Sequence, residues 1–267
     1  MSDRVLITGA SAGIGKVFAQ AYAKQGKNLV LTARREDRLI ELAAALESAH
    51  ATKSHIIVLD LASDDSAEVL TRNLETAGIQ VETLVNNAGY GLPGTLFNTD
   101  WQDQADFLRV LYTLPVELTH RLLPGMAARN FGRIINVASL AGYMPGTAGH
   151  SLYASVKSAL IKFSEAVNAE AAIHGHNIHC TALCPGFTWS EFHDVNGTRE
   201  ETNKMPKWMW MEAEPVVQAG IKAVNAGKPV IVPGVANKIL SGLSRKLPEG
   251  VVRKMVAGQS GRYRRTE

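Results

Sequence analysis

The stretch RVLITGASAGIGKVF, residues 4–18, decides the fold class. The apolar run RVLIT indicates a buried strand, and a glycine-rich turn follows it directly and leads into a helix. Glycines let the backbone turn tightly and approach a pyrophosphate, while the free N–H groups at the start of the helix attract negative charge. The spacing TGxxxGxG in this context predicts the first βα unit of a dinucleotide-binding sheet. We expect its phosphates beside Gly9, Ser11, Gly13, Ile14 and Gly15.

Short apolar runs alternate with helical segments along the rest of the chain. After RVLIT come NLVLT, HIIVLD, TLVNN, GRIINVAS, NIHCTALCPG and PVIVPG, which makes seven predicted strands. Nearly continuous apolar strands are typical of a sheet that is covered on both faces, and right-handed crossovers between them give a doubly wound α/β fold. We therefore expect a parallel, seven-stranded, Rossmann-type sheet in a single domain over residues 1–267.

The bulk composition excludes several classes of protein. Hydrophobic residues make up 46% of the 267 residues and charged residues 20%, and the formal net charge of +3 is too small to indicate a nucleic-acid partner. Cys180 and Cys184 lie four residues apart in one predicted strand, roughly 13 Å, which is too far for a disulfide. The chain has no metal-ligand spacing, no secretory signal before the first strand and no apolar run of ~20 residues. We expect a cytoplasmic protein with reduced core cysteines, no metal and no membrane span.

The C-terminal part of the chain is basic. From Lys238 to the end there are eight Lys or Arg residues and two Glu residues. This excess predicts either a solvated tail over residues 238–267 or a tail that weakly contacts an anionic surface or an acidic partner subunit.

Residues 186–213 form the longest break in the alternation of strands and helices, and they are rich in Trp and Met. An insertion at the carboxyl end of a strand lies over the ligand crevice of such a sheet. We therefore expect a small apolar substrate lid. The alternative is that these side chains patch the core or a subunit contact.

The stretch SLYASVKSAL, residues 151–160, puts a tyrosine and a lysine on one face of a predicted helix. Positions i and i+4 lie roughly 6 Å apart, so the ammonium of Lys157 can favour the ionised form of the Tyr153 phenol. Such a pair is suited to acid–base chemistry. The alternative is a solvated pair in which the lysine stem packs on the ring.

The second predicted strand ends in LTARREDRL, where a dinucleotide domain contacts the adenosine ribose. An acidic residue there would accept a hydrogen bond from a free 2′-hydroxyl, but Arg34 and Arg35 occur instead, with no carboxylate before Glu36. Since a guanidinium binds phosphate bidentately, the pair favours NADP(H) over NAD(H). The alternative is that one or both arginines are the solvated start of a helix.

Five ordered motifs together resemble the short-chain dehydrogenase/reductase family: TGASAGIG, NNAG at 86–89, INVASLAG, YASVK at 153–157 and CPGFT at 184–188. The resemblance covers the whole chain. It implies that Tyr153 is the proton donor or acceptor, that Lys157 lowers its pKa and holds the nicotinamide ribose, and that Ser139 hydrogen-bonds the substrate oxygen. It also implies a homodimer or homotetramer.

The same resemblance implies further contacts with cofactor and substrate, each of which could instead be structural. Adenine would meet Asp60 and Leu61, although an aspartate after a strand is often a helix cap. Asn87 would lie near the adenosine ribose and tie neighbouring strands, with Ala88 and Gly89 beside it. Pro185, Gly186 and Thr188 would form the turn against the nicotinamide. Their loop positions make Tyr143, Met144, Trp189 and Phe192 candidates for an apolar substrate pocket.

One position departs from the family pattern. Leu111, in VLYTLPVELT, stands where the family usually has an asparagine. In the family this residue holds, by a distortion of the backbone, a water that passes protons from the lysine to solvent. A leucine side chain cannot make those hydrogen bonds. If the helix lacks the distortion, we expect a changed proton exit and unimpaired hydride transfer.

These motifs predict an NADP(H)-dependent oxidoreductase that interconverts a ketone or aldehyde and the corresponding alcohol on an apolar small molecule. The alternative is a non-catalytic NADP-binding or redox-sensing protein on the same fold. Ser139, Tyr153 and Lys157 favour the enzyme, whereas Leu111 keeps the alternative open.

Overall fold

Nine strands and eight α-helices are present in the part of the chain that the computed structural model describes, which is residues 4–92, 94–146, 148–149, 151–192, 206–246 and 250. The strands are β1 (Arg4–Thr8), β2 (Asn28–Ala33), β3 (Ser54–Val58), β4 (Val81–Asn86), β5 (Gly132–Val137), β6 (Ile178–Leu183), β7 (Phe187–Thr188), β8 (Trp210–Met211) and β9 (Val230–Ile231). The helices are α1 (Gly13–Ala23), α2 (Glu36–His50), α3 (Ser66–Thr76), α4 (Trp101–Leu108), α5 (Leu114–Ala128), α6 (Tyr153–Ile173), α7 (Ala213–Asn225) and α8 (Val235–Lys246). A π-helical turn, Arg109–Thr113, joins α4 to α5, and 3₁₀ turns lie at Leu140–Tyr143 and Lys207–Met209.

Seven of the strands form one parallel sheet in the order β3-β2-β1-β4-β5-β6-β9. β1 pairs with β2 on one side and with β4 on the other, so the direction of winding reverses between β1 and β4. Such a reversal opens a crevice outside the carboxyl ends of the strands, where ligands of this architecture bind. The predicted doubly wound, seven-stranded parallel sheet is confirmed.

β1 is apolar at successive positions because it contributes to a core on each face of the sheet. Val5 and Ile7 pack with Phe18 of α1 in one core, and Leu6 packs with Phe107 of α4 in the other. All five side chains are fully buried or nearly so. This two-sided burial accounts for the nearly continuous apolar runs in the sequence.

β7 and β8 form a separate parallel pair that joins the two ends of the predicted lid, residues 186–213. Phe187 lies opposite Trp210 and Thr188 opposite Met211. The ring of Trp189 stacks on that of Trp210, with centroids 4.0 Å apart. Residues 193–205 of the predicted lid lie outside the described residues.

Cys180 and Cys184 are buried and unbridged, as predicted. Burial raises the pKa of both thiols to about 12.

The predicted basic tail begins within a helix. Residues 238–246 belong to α8, and residues 247–249 and 251–267 lie outside the described residues. None of the helices described here is long and apolar enough to cross a membrane.

Candidate active site

The glycine-rich turn between β1 and α1 is packed too tightly to hold side chains. A Cβ added at Gly15 would lie 2.3 Å from the carbonyl oxygen of Gly9 and 2.5 Å from Nδ2 of Asn87. Gly9 and Gly13 have φ values of 65° and 52°, in the left-handed region that glycine adopts without strain. The backbone is therefore bare at these three glycines, and the start of α1 behind them carries partial positive charge. This surface fits the phosphates of a dinucleotide.

Asn87 fixes this turn to the neighbouring strand. Its Nδ2 donates to the carbonyl oxygens of Thr8 at 2.9 Å and Gly9 at 3.2 Å. The main-chain N–H groups of Asn87 and Ala88 both donate to Oγ1 of Thr8 at 3.0 Å. The predicted tie between neighbouring strands is confirmed, because these bonds join the carboxyl ends of β1 and β4.

The arginines after β2 lie at the same edge of the sheet. Arg35 donates from Nε and Nη2 to Oγ of Ser11, at 3.3 and 3.2 Å, and from Nη1 to the Glu191 carboxylate at 3.1 Å. Arg38, one turn further along α2, donates from Nη1 to both carboxylate oxygens of Glu191, at 2.8 and 2.9 Å. Arg34 is exposed and has no ion-pair partner among the described residues. Arg35 is thus more than the solvated start of a helix, since its side chain crosses to the glycine-rich turn.

Asp60 and Leu61 follow β3 at this edge. Asp60 is exposed, and one of its carboxylate oxygens accepts a hydrogen bond from the main-chain N–H of Ala62 at 3.1 Å. Because α3 begins only at Ser66, Asp60 stabilises a turn and does not cap that helix. Leu61 is buried and packs in the core.

Lys157 is buried beneath the carboxyl end of β5. Its Nζ donates to the carbonyl oxygen of Val137 at 2.7 Å, and only 6% of the residue is exposed. Burial lowers the pKa of Lys157 to about 8, because a low-dielectric environment disfavours the ammonium, and the nearby Cys184 opposes this shift. The Nζ atom lies 5.8 Å from the centroid of the Tyr153 ring.

The 3₁₀ turn after Ser139 packs directly on α6. Oγ of Ser139 accepts a hydrogen bond from the N–H of Ala141 at 3.1 Å and so caps this turn. A Cβ added at Gly142 would lie 2.9 Å from the carbonyl carbon of Lys157 and 2.9 Å from the main-chain nitrogen of Ser158. Only glycine allows this approach, which sets Ser139 beside the helix that carries Tyr153 and Lys157.

Two phenylalanine rings flank Tyr153. Phe107 of α4 lies 6.5 Å from it between ring centroids, and Phe192 of the lid segment lies at 6.1 Å. Tyr143 and Met144, at the end of the 3₁₀ turn, are half-buried. Trp189 is directed instead towards β8, where it stacks on Trp210. The structure therefore brings Phe192 to the tyrosine and places Trp189 against the β7–β8 pair.

The turn Pro185–Gly186 after β6 is held in place by contacts on two sides. The carbonyl oxygen of Pro185 accepts from the N–H of Leu140 at 2.8 Å, which joins this turn to the Ser139 loop. A Cβ added at Gly186 would lie 2.5 Å from Oδ1 of Asn237, a buried residue of α8. Oγ1 of Thr188 donates to the carbonyl oxygen of Gly186 at 3.1 Å.

The helix around Leu111 is distorted even though the usual asparagine is missing. Leu111 lies in the π-helical turn, where the N–H of Leu114 donates to the carbonyl oxygen of Arg109, five residues back. Pro115, four residues after Leu111, has no N–H to donate to the Leu111 carbonyl in an α-helical bond. The condition for a changed proton exit, a helix without distortion, is therefore not met.

Four residues that contribute to this region are missing from the sequence interpretation. Arg38 could have been found from its spacing, because position i+3 shares a helix face with Arg35. Gly142, Glu191 and Asn237 carry no local signal, since their roles arise from contacts with distant parts of the chain.

Because the bare glycine-rich turn lies at the same sheet edge as the arginines and the Tyr153–Lys157 pair, the fold defines a dinucleotide-dependent oxidoreductase. The family model described as short chain dehydrogenase matches residues 3–201. The chain belongs to the short-chain dehydrogenase family. It is accordingly an oxidoreductase of CH–OH and C=O groups that uses a nicotinamide cofactor.

Relatives cover most of the chain. Sulfoacetaldehyde reductase 2 of Chromohalobacter salexigens is 34% identical over 194 residues, which are 72% of this chain and 75% of that protein. The NADP-dependent 3-hydroxy acid dehydrogenase of Escherichia coli is 33% identical over 196 residues, again 72% of this chain and 75% of that one. A solved short-chain dehydrogenase from Sphingobium yanoikuyae in complex with NADPH is 26% identical, with a TM-score of 0.78 over 92% of this chain and 97% of that chain.

Proposed function

We propose that this protein is an NADP(H)-dependent oxidoreductase that interconverts a ketone or aldehyde and the corresponding alcohol on an apolar small molecule. One observation carries the proposal: the Tyr153 phenol lies between two phenylalanine rings and one helical turn from the buried ammonium of Lys157. An acid–base group with apolar walls suits a neutral carbonyl compound better than a charged one.

The cofactor would lie along the carboxyl edge of the sheet. We assign its pyrophosphate to the glycine-rich turn (Gly9, Ser11, Gly13, Ile14 and Gly15), its 2′-phosphate to Arg34 and Arg35, and its adenine to Asp60 and Leu61. We assign the adenosine ribose to Asn87, Ala88 and Gly89, the nicotinamide ribose to Tyr153 and Lys157, and the nicotinamide to Pro185, Gly186 and Thr188. When bound, NADP(H) supplies or accepts the hydride.

The protein's own residues handle the substrate oxygen and the proton. Oγ of Ser139 accepts from the N–H of Ala141, so its hydroxyl proton can be donated to the substrate oxygen. In reduction, Tyr153 gives its phenolic proton to that oxygen, and in oxidation it takes the proton back. The ammonium of Lys157 stabilises the phenolate, which lowers the pKa of the tyrosine.

The proposed preference for NADP(H), which carries a 2′-phosphate, over NAD(H) rests on the charges after β2. Two guanidinium groups, those of Arg35 and Arg38, converge on one carboxylate there, and Arg34 lies exposed beside them. The relative from Escherichia coli is named as NADP-dependent, and the structure from Sphingobium yanoikuyae contains NADPH. Both support the proposed cofactor.

We also propose that residues 1–267 form one domain and that residues 186–213 are its lid. Tyr143, Met144, Trp189 and Phe192 are the proposed apolar lining of the substrate pocket. The chain is proposed to assemble as a homodimer or homotetramer, which light scattering on the purified protein would test.

The test of this function is a cofactor-consumption screen with apolar ketones, aldehydes, steroids, 3-oxoacyl esters and quinones. We expect oxidation of NADPH with at least one class and little oxidation of NADH. Arg34→Ala should cost roughly 1.5–3 kcal/mol of NADPH binding, about one to two decades in affinity, with little effect on NADH. Equal use of both cofactors by the wild type, or equal weakening of both by Arg34→Ala, would contradict the proposal.

A further inference from the structure

The carboxylate of Glu191 forms ion pairs with Arg35 and Arg38, beside the proposed 2′-phosphate site. Its carboxylate accepts from Arg35 at 3.1 Å and from Arg38 at 2.8 and 2.9 Å. A guanidinium donates to carboxylate and to phosphate through the same planar fork of N–H groups. The donors that hold Glu191 are therefore the donors that a phosphate in this position would use.

The carboxylate of Glu191 is charged at neutral pH. Its partial burial alone would raise the pKa, but hydrogen bonds and charges from Arg35 and Arg38 outweigh this and hold the pKa of Glu191 below its usual range. A phosphate monoester carries a charge of about −1.5 to −2 at pH 7, more than one carboxylate carries. The ion pairs of Glu191 are also partly exposed, with 40–45% of the Arg35 and Glu191 side chains open to solvent, and such pairs are weak. A phosphate can therefore displace this carboxylate.

The segment that carries Glu191 connects the arginines with Tyr153. Trp189, two residues earlier, is fixed by the β7–β8 pair and by its stack on Trp210. Ser190 crosses the glycine-rich turn, since a Cβ added at Gly13 would lie 3.2 Å from the Ser190 Cβ. Phe192 then lies over Tyr153. Because Trp189 is held on the upstream side, a movement of Glu191 reaches the tyrosine through its neighbour Phe192.

We propose that the 2′-phosphate of the cofactor engages Arg38 in addition to Arg34 and Arg35, that Glu191 competes with it for Arg35 and Arg38, and that the displacement of Glu191 moves Phe192 away from Tyr153. This inference rests on the proposed NADP(H) function and deepens it. NADP(H) would open the substrate site, so this cofactor would bind first and the carbonyl compound second. NADH, which has no 2′-phosphate, would leave Phe192 in contact with Tyr153.

Binding measurements on Glu191→Gln test the competition, because this substitution keeps the shape of the side chain and removes its charge. By calorimetry we expect NADPH and adenosine 2′,5′-bisphosphate to bind about threefold to tenfold more tightly than to the wild type, since the arginines are no longer occupied. NADH and 5′-AMP should bind as before. Glu68→Gln, which removes a surface ion pair with Arg72 on α3, should change none of these affinities.

Hydrogen exchange of the wild type tests the movement without any turnover. Adenosine 2′,5′-bisphosphate should speed exchange in the peptide that contains residues 190–192, and 5′-AMP should not. Slower exchange with both nucleotides, or weaker NADPH and NADH binding by Glu191→Gln, would mean that Glu191 clamps the cofactor and would overturn the proposal. Unchanged NADPH affinity in Glu191→Gln would overturn it as well. A wild type without preference for NADPH would instead refute the proposed cofactor, so the two failures are distinguishable.

Discussion

The ammonium of Lys157 donates a hydrogen bond of 2.7 Å to the carbonyl oxygen of Val137, two residues before Ser139. This bond joins α6 to the end of β5, so one contact links the helix of Tyr153 to the strand that precedes Ser139. It also keeps a charged group in a buried position, with 6% of the residue exposed. Burying the charge opposes folding, because the unfolded chain offers the ammonium full hydration.

This burial predicts a pH dependence of stability. The pKa of Lys157 is lowered from 10.5 to about 8 in the folded protein. Between these values Lys157 binds one more proton in the unfolded chain, so the contribution of this group to the free energy of unfolding rises with pH. From pH 8 to pH 9.5 this group should add about 1.5 kcal/mol, and the added stability is lost as the pH falls back through about 8. Urea unfolding at the two pH values measures the change.

The matched variant for that measurement is Lys157→Met, which keeps the length of the side chain and removes the titrating group. Contributions from titrating residues that do not interact with Lys157 are common to both proteins and cancel in the difference. If Lys157→Met gains as much stability between pH 8 and pH 9.5 as the wild type, the lysine is not the source of the slope.

Tyr153→Phe should abolish turnover and leave NADPH affinity nearly unchanged. The phenol is proposed to move a proton, and its ring contacts with Phe107 and Phe192 survive the loss of the hydroxyl. Lys157→Ala should lower both turnover and affinity, because it removes the proposed ribose contact along with the effect on the tyrosine pKa. Steady-state kinetics and NADPH titrations separate the two effects. A kcat for Tyr153→Phe within a few-fold of the wild type would exclude the tyrosine as the acid–base group.

Much of this fold could be predicted because its signals are local. RVLIT matches β1 residue for residue, and the glycine-rich turn that follows has the positive φ values and close contacts that only glycine tolerates. A buried parallel strand requires a continuous apolar run, so each strand can be predicted from its own residues alone. The tyrosine and lysine share a face of α6 for the same reason, since helical periodicity alone sets their spacing.

Other parts of the site depend on contacts between distant segments and have no local signal. Glu191 meets Arg38 across 153 residues of sequence, and nothing near either residue indicates the partner. The distortion at Leu111 is different, because it has a local signal in the sequence. Pro115 stands four residues later, where a proline removes a helical hydrogen bond.

Gly142→Ala should lower catalytic activity although the added methyl group lies outside the candidate active site. The added methyl would lie 2.9 Å from the carbonyl carbon of Lys157 and 2.7 Å from Cδ1 of Ile161, so the 3₁₀ turn must move away from α6. Overpacking of this kind costs about 1–3 kcal/mol, and the shift of Ser139 should lower kcat more than it raises KM for NADPH. Gly146→Ala is the control, since a Cβ there would meet nothing within 4 Å. Equal thermal stability and kcat in the two variants would show that the 3₁₀ turn accommodates the added methyl group without displacing Ser139.

The last prediction concerns Pro115 and the exit of the proton. The π-helical turn packs against α6, and the carbonyl of Leu111 within it lacks the N–H that position 115 normally supplies. We expect this carbonyl to hold the water that passes protons from Lys157, so that the leucine side chain does not matter. Pro115→Ala restores the missing N–H. Because Pro115 is buried at the start of α5, the smaller side chain should lower stability, so turnover is compared at a temperature where both proteins are fully folded.

The restored main-chain bond competes with the water for the Leu111 carbonyl, and proton delivery then limits the rate. For Pro115→Ala we expect kcat to fall by about tenfold, the solvent deuterium isotope effect on kcat to rise and the effect of deuterated NADPH to shrink. Leu111→Asn should not raise turnover, because the relay uses the main chain and a buried amide without partners costs ~1–3 kcal/mol. If Pro115→Ala leaves both isotope effects at their wild-type values, the Leu111 carbonyl has no part in the relay, and the proton leaves by another route.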